Sequence, residues 1–155
     1  MSDLEQMYQQ VILDHAKARH GSGLSTLDSP SMGESHQFNP TCGDEITLRV
    51  GLDGDKLTSV TWEGQGCSIS QASASILTEL MDGADLHQAD ETMEAFMALM
   101  HHRGELLGDE RDDLLDDATA LVGVGKYPAR IKCALLSWVA LRDAIARATV
   151  GTEGS

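Results

Sequence analysis

The side chains with the most chemical capacity are three cysteines, in Thr41-Cys42-Gly43-Asp44, Gly64-Gln65-Gly66-Cys67-Ser68 and Arg130-Ile131-Lys132-Cys133. An odd number excludes complete internal disulfide pairing, whereas three thiolates and one carboxylate suit a four-coordinate zinc ion. Each cysteine falls where the pattern of the chain changes, so the three can converge on one point and stay within reach of solvent. Cys42 and Asp44 are separated by a single glycine, and a tight turn there aims both side chains at one ion. Gly43 permits backbone angles that a Cβ would forbid. The expected metal set is therefore Cys42, Asp44, Cys67 and Cys133. A carboxylate among thiolates makes such a site more labile than an all-thiolate one. The alternative for Asp44 is a turn former bonded only to nearby backbone amides.

Cys67 stands at a predicted helix start, where unpaired amides and the positive end of the helix dipole favour thiolate over thiol. Gly64 and Gly66 leave room for close backbone approach; otherwise Cys67 is a buried thiol at a glycine-rich strand-to-helix turn. Arg130 precedes Cys133 by one helical turn on the same side. Its guanidinium suits lowering a thiol pKa, steadying a sulfur anion or bonding Asp44. The alternative pair of roles is a small core cysteine and a solvated arginine. Of six histidines, His36 is the alternative fourth ligand. His101-His102 fits a helix end, and His15, His20 and His87 have no partner at useful spacing.

The elements that must position these residues are read from periodicity. Leu4, Met7, Tyr8, Val11 and Ile12 recur at helical spacing up to about Lys17. Gly21 to Gly33 is expected to be a mobile loop. Ile46, Leu48, Val50 and Leu52 alternate with polar residues or glycine as a half-buried strand, Asp53-Gly54 signals a hairpin, and Leu57 to Trp62 returns. A helix then runs to about Met81 and stops at Gly83, with Ser68 and Gln71 as a capping box. Met93, Phe96, Met97 and Met100 form a core stripe. Leu114, Leu115, Ala118 and Leu121 mark a short acidic helix. Pro128 opens a last helix carrying Ile131, Leu135, Trp138, Leu141 and Ile145. Strands before helices predict an α+β domain: a small antiparallel sheet of about three strands with helices packed on one face. One domain is expected over residues 1–155, with a frayed polar tail over 150–155.

Composition restricts the setting. A chain of 155 residues can bury a core without disulfide staples. The net charge of -14 repels phosphate backbones and argues against nucleic-acid binding. Asp109, Glu110, Asp112, Asp113, Asp116 and Asp117 read as a solvated helix face. No apolar run approaches the ~20 residues of a membrane span, and the acidic start is unlike a signal peptide. Free cysteines without an export signal point to the cytoplasm.

Together the segments Asn39-Pro40-Thr41-Cys42-Gly43-Asp44, Gly64-Gln65-Gly66-Cys67-Ser68-Ile69-Ser70-Gln71-Ala72-Ser73-Ala74-Ser75 and Lys126-Tyr127-Pro128-Ala129-Arg130-Ile131-Lys132-Cys133 resemble the IscU/NifU-like family of iron-sulfur assembly proteins. The resemblance runs from about Leu4 to Ala148 and is strongest to the SufU branch. Leu13-Asp14-His15 resembles the end of the family's first helix, although Ala16 replaces a common aromatic residue and the usual proline is missing. Two features separate the branches. Lys132 stands where IscU proteins carry a histidine before the third cysteine, and an added helix around Arg111 to Leu121 fits SufU.

The resemblance implies a zinc-containing sulfurtransferase in iron-sulfur cluster assembly. A SufS-type pyridoxal-phosphate cysteine desulfurase would hand its persulfide sulfur to Cys42, with Arg130 orienting Asp44 or stabilising the sulfur anion. The sulfur would then pass to a SufBCD complex. A partner histidine would displace Cys42 from zinc, and the protein would act as a monomer that binds its desulfurase transiently. Cys42 lies in a turn beside glycine and can swing, whereas Cys67 and Cys133 are tied to helices. Two alternatives stay open: an IscU-like scaffold holding iron or an iron-sulfur cluster, and a zinc-stabilised structural domain.

Overall fold

The computed structural model of the protein describes residues 3–24, 30–41 and 43–153. Three strands, β1 (Ser31–Asn39), β2 (Asp44–Asp53) and β3 (Lys56–Gln65), form one antiparallel sheet in the order β1-β2-β3. The alternation of β2 is real: Ile46, Leu48, Val50 and Leu52 are buried, and Thr47 and Arg49 between them are half-buried. Gly54 turns the β2–β3 hairpin with φ +63°. A bulge between Gly51 and Leu52 shifts the register once.

The helices are α1 (Asp3–Ala18), α2 (Ser68–Met81), α3 (Leu86–Met100), α4 (Arg111–Leu115) and α5 (Pro128–Glu153), with a 3-10 segment over Asp116–Lys126 before α5. Helix α5 lies against β1 and β2, α2 packs beside α5, and α1 packs on α2 and the 3-10 segment. The approach of α5 is close. A Cβ at Gly33 would sit 1.9 Å from the Ala144 carbonyl oxygen, and Ala140, Ala144 and Ala148 are fully buried. Side chains larger than methyl on this stripe would force helix and sheet apart.

Helices α2 and α5 are also fastened by a buried serine. Ser73 Oγ donates to the Ala134 carbonyl at 2.6 Å and accepts from Trp138 Nε1 at 2.9 Å. Trp138 in turn stacks on Phe96 of α3, with ring centroids 4.1 Å apart. The methionine stripe of α3 packs as expected: Met93, Phe96 and Met100 are buried and Met97 half-buried.

Several expectations are corrected. The stretch from Gly21 to Gly33 is not one loop. Gly21 and Gly23 exchange backbone hydrogen bonds with Trp62 at 2.9 and 2.8 Å, and β1 begins at Ser31. Between them, residues 25–29 lie outside the described residues. The tail expected from about residue 150 continues α5 through Glu153, and residues 154–155 lie outside the described residues. The acidic helix is one short turn of α-helix followed by a 3-10 stretch. Its carboxylates are not all free in solvent. The Arg111 side chain and backbone N–H hold Asp109 down to about 2, Asp112 accepts from the Leu107 and Gly108 amides, and Asp117 meets His15. No helix among the described residues is long and apolar enough to cross a membrane.

Candidate metal centre

Strand parity aims Asp44. It belongs to the same inward row of β2 as Ile46 and Leu48, and is 1% exposed, whereas Glu45 faces the other side and meets His36. A one-residue register slip would turn the carboxylate into solvent. Gly43 carries φ +74°, and its N–H donates to the Asn39 carbonyl at 2.8 Å, closing the turn between β1 and β2. Cys42 itself lies outside the described residues.

Cys67 is the N-cap of α2, with extended backbone angles. Its amide donates to Asp44 Oδ1 at 2.9 Å, and its Sγ lies 3.7 Å from Asp44 Oδ2. The expected Ser68–Gln71 capping box is absent because the cap lies one residue earlier. Gln71 Nε2 instead donates to the Gly66 carbonyl at 2.8 Å, and Ser70 Oγ donates to the Cys67 carbonyl at 3.0 Å. Gly66 supplies the space: a Cβ there would stand 2.3 Å from Asp44 Oδ1 and 2.8 Å from its Cγ. Gly64 is needed for a different contact, since its Cβ would strike the Glu45 backbone oxygen at 2.3 Å.

Cys133 lies in the second turn of α5, 5% exposed, with its thiol 3.8 Å from the Ala129 carbonyl. The Ser73–Ala134 bond beside it sets this turn against α2. As a result one carboxylate oxygen of Asp44 and the sulfurs of Cys67 and Cys133 all lie within 4.8 Å of one another. The donor set fits zinc. Bonds of about 2.3 Å to sulfur and about 2.0–2.2 Å to oxygen, at tetrahedral angles, separate those two donors by about 3.6 Å. The Cys67–Asp44 separation of 3.7 Å matches that span. Cys67 is exposed while Asp44 and Cys133 are buried, so the group opens to solvent on the Cys67 side.

The remaining expected residues fall elsewhere. His36 is on the outer face of the sheet, 2.8 Å from Glu45, and is not a fourth ligand in this arrangement. Arg130 is exposed, with its guanidinium 5.4 Å from the centre of the Tyr127 ring. It borders an open cleft shared with Leu4, Tyr8, Ile12 and Ile69. Lys132 is exposed on α5.

Sequence reasoning missed Arg19. In the turn after α1, with φ +49°, it hydrogen-bonds Gln71 Oε1, donates to the Gly64 carbonyl at 3.3 Å and lies 4.8 Å from the Trp62 ring centre. It props the Gly64–Gly66 segment from behind. No local pattern announces this, because its partners are 45 and 52 residues away.

A profile of the NifU-like N-terminal domain matches residues 7–134. The chain is 43% identical over 148 residues to the zinc-dependent sulfurtransferase SufU of Bacillus subtilis, covering 94% of each chain. It is 36% identical to the iron-sulfur cluster assembly scaffold protein IscU of Streptococcus pyogenes, over 95% of this chain and 87% of that protein. Its fold superposes with a TM-score of 0.72 on the crystal structure of a SufU from Fervidobacterium islandicum AW-1, described as a candidate iron-sulfur cluster assembly scaffold for the SUF system. The two are 34% identical, over 90% of this chain and 97% of that one.

Proposed function

The chain belongs to the family of NifU-like N-terminal domains, and we propose that it serves iron-sulfur cluster assembly as a zinc-dependent sulfur carrier. It accepts sulfur from a SufS-type pyridoxal-phosphate cysteine desulfurase and passes it to a SufBCD assembly complex. The observation that carries this reading is the convergence of Asp44, Cys67 and Cys133 within 4.8 Å, open to solvent at Cys67. Its counterpart among the relatives is a sulfurtransferase whose name states zinc dependence.

In this reading Asp44, Cys67 and Cys133 hold zinc with Cys42 as the fourth donor. Zinc bound there would keep its thiolates deprotonated and, being redox-inert, would not reduce a persulfide. The chain's residues then divide the work. The Cys67 amide fixes the carboxylate of Asp44, while Gly66 leaves it space. Cys42, the sequence neighbour of Gly43, is the acceptor. Its thiolate attacks the outer sulfur of the partner's persulfide; one S–S bond forms as the other breaks, and the partner's cysteine leaves as thiolate. Arg130, exposed one helical turn before Cys133, would stabilise the persulfide anion on Cys42. Half-exposed Leu4 and Tyr127, which line the same cleft as Arg130, offer the desulfurase an apolar rim.

The scaffold reading rests on the two relatives named as assembly scaffolds. Lys132 weighs against it, because a protonated amine offers no lone pair where the IscU branch has a histidine. Incubating the zinc-loaded protein with a cysteine desulfurase and cysteine, then weighing it intact alongside metal analysis, separates the two. The carrier gains one sulfur and keeps zinc; a coloured, iron-loaded product that donates a cluster would establish the scaffold instead.

A further inference from the structure

Away from the thiolates, a second group of ligand-type side chains converges that sulfur transfer does not use. His15 lies on α1, His20 just after it, Glu79 on α2 and Asp117 at the start of the 3-10 segment. His15, His20 and Glu79 each bring one ligand atom within 4.8 Å of the others. His15 Nε2 is 2.9 Å from Asp117 Oδ2 and 3.9 Å from Glu79 Oε2, and His20 Nε2 is 3.0 Å from Glu79 Oε1. The two imidazole rings meet edge to face with centroids 5.4 Å apart. Glu79 follows Cys67 by twelve residues, which is about 18 Å along α2 at a rise of 1.5 Å per residue, so this is a separate place on the molecule.

The geometry points to a second metal site here, taking a divalent transition cation on His15 Nε2, His20 Nε2 and Glu79. Three features support it. First, among the described residues every ion pair to Glu79 and Asp117 comes from a histidine. No Lys or Arg is paired with either carboxylate among the described residues, and a divalent cation would fill that place. Second, His15 is 6% exposed and its other nitrogen, Nδ1, lies 2.9 Å from Ser75 Oγ. A ligating imidazole characteristically donates its remote N–H to such an acceptor, which fixes the ring with Nε2 toward the ion. Third, Ser75 Oγ also accepts the His20 backbone N–H at 3.0 Å, so one hydroxyl sets both histidines. The two-imidazole, carboxylate donor set selects zinc, cobalt or nickel over magnesium or calcium. With its proton on Nδ1, donated to Ser75 Oγ, His15 presents the Nε2 lone pair to the ion. The bound ion would clip the end of α1 to α2.

Cobalt(II) titration of the metal-stripped 155-residue chain tests this, because the two sites differ in colour. The wild type should take two equivalents. One should show thiolate-to-cobalt charge transfer, and the other only weak absorption from nitrogen and oxygen ligands. Glu79→Gln and His20→Gln, both at partly exposed positions, should weaken the second equivalent at least about tenfold and leave the charge-transfer band unchanged. Cys67→Ser should do the reverse, abolishing that band while the histidine equivalent remains. The proposal is overturned if the wild type takes up cobalt only with the thiolate band. It is equally overturned if the non-thiolate equivalent binds both Glu79→Gln and His20→Gln as tightly as the wild type.

Discussion

Gly66→Ala tests how the carboxylate of Asp44 is held. The new methyl would lie 2.3 Å from Asp44 Oδ1, so the carboxylate must retreat by about 1 Å to regain ordinary contact. Asp44 is 1% exposed and cannot retreat without losing the Cys67 amide at 2.9 Å. Ser70 Oγ, at 2.5 Å, can rotate aside and contributes little. A hydrogen bond to a charged acceptor is worth ~1.5–3 kcal/mol and overpacking costs ~1–3 kcal/mol. With partial relaxation the loss is about 2–4 kcal/mol, or about 5–15 °C in Tm for a chain of this size. Zinc affinity should fall at least about tenfold, as one donor is displaced. Thermal unfolding and competition for zinc against a chromogenic chelator measure both effects. Gly123→Ala, whose Cβ would meet nothing within 4 Å, is the neutral comparison. A Gly66→Ala protein that melts with the wild type and binds zinc as tightly would show that Asp44 is not fixed through this loop.

Three further outcomes follow from the same contacts. Ser73→Ala strands the indole N–H of Trp138 in the core, while the Ala134 carbonyl keeps its helical acceptor role, and should cost about 1–3 kcal/mol in chemical denaturation; an unchanged midpoint would deny that this serine joins α2 to α5. Hydrogen bonds from Ser35 and Arg147 hold the Asp143 carboxyl below its ordinary value. Its contribution is therefore present above the unfolded value of about 3.9 and is lost as pH falls through the lower folded one. Asp143→Asn should flatten the acid limb of stability by under about 1 kcal/mol, because the group is partly exposed and screened, and an acid limb identical to the wild type's would contradict this. Cys133→Ser should lose zinc and melt earlier, whereas Arg130→Ala should keep zinc and lose sulfur transfer; a zinc-free Arg130→Ala protein would refute that division.

What was legible in the sequence depended on how each residue is used. The β2 alternation and the α3 methionine stripe were readable because their inward positions are apolar. Strand β1 was not, because its pattern is inverted. Its buried positions include Gly33, Ser35 and Asn39, while Met32 and Phe38 face solvent at 40% and 55% exposure. The cause is the close approach of α5, which leaves no room for large side chains on that strand. The cap of α2 was misplaced by one residue because Gln71 is used to hold Gly66. His15 showed no partner in sequence since Ser75 and Asp117 are 60 and 102 residues away. The three cysteine segments were conspicuous, but their meeting point depends on strand parity at Asp44 and on the Ser73 bridge, both tertiary facts.

The central claim is that Cys42 receives the sulfur while Asp44, Cys67 and Cys133 retain the metal. Peptide mapping by mass spectrometry tests it most directly, after brief reaction of the zinc-loaded protein with a cysteine desulfurase and cysteine and capping of all thiols. The account predicts one additional sulfur on the peptide carrying Cys42, with zinc still bound before digestion. Additional sulfur on Cys67 or Cys133, with Cys42 unmodified, would contradict it.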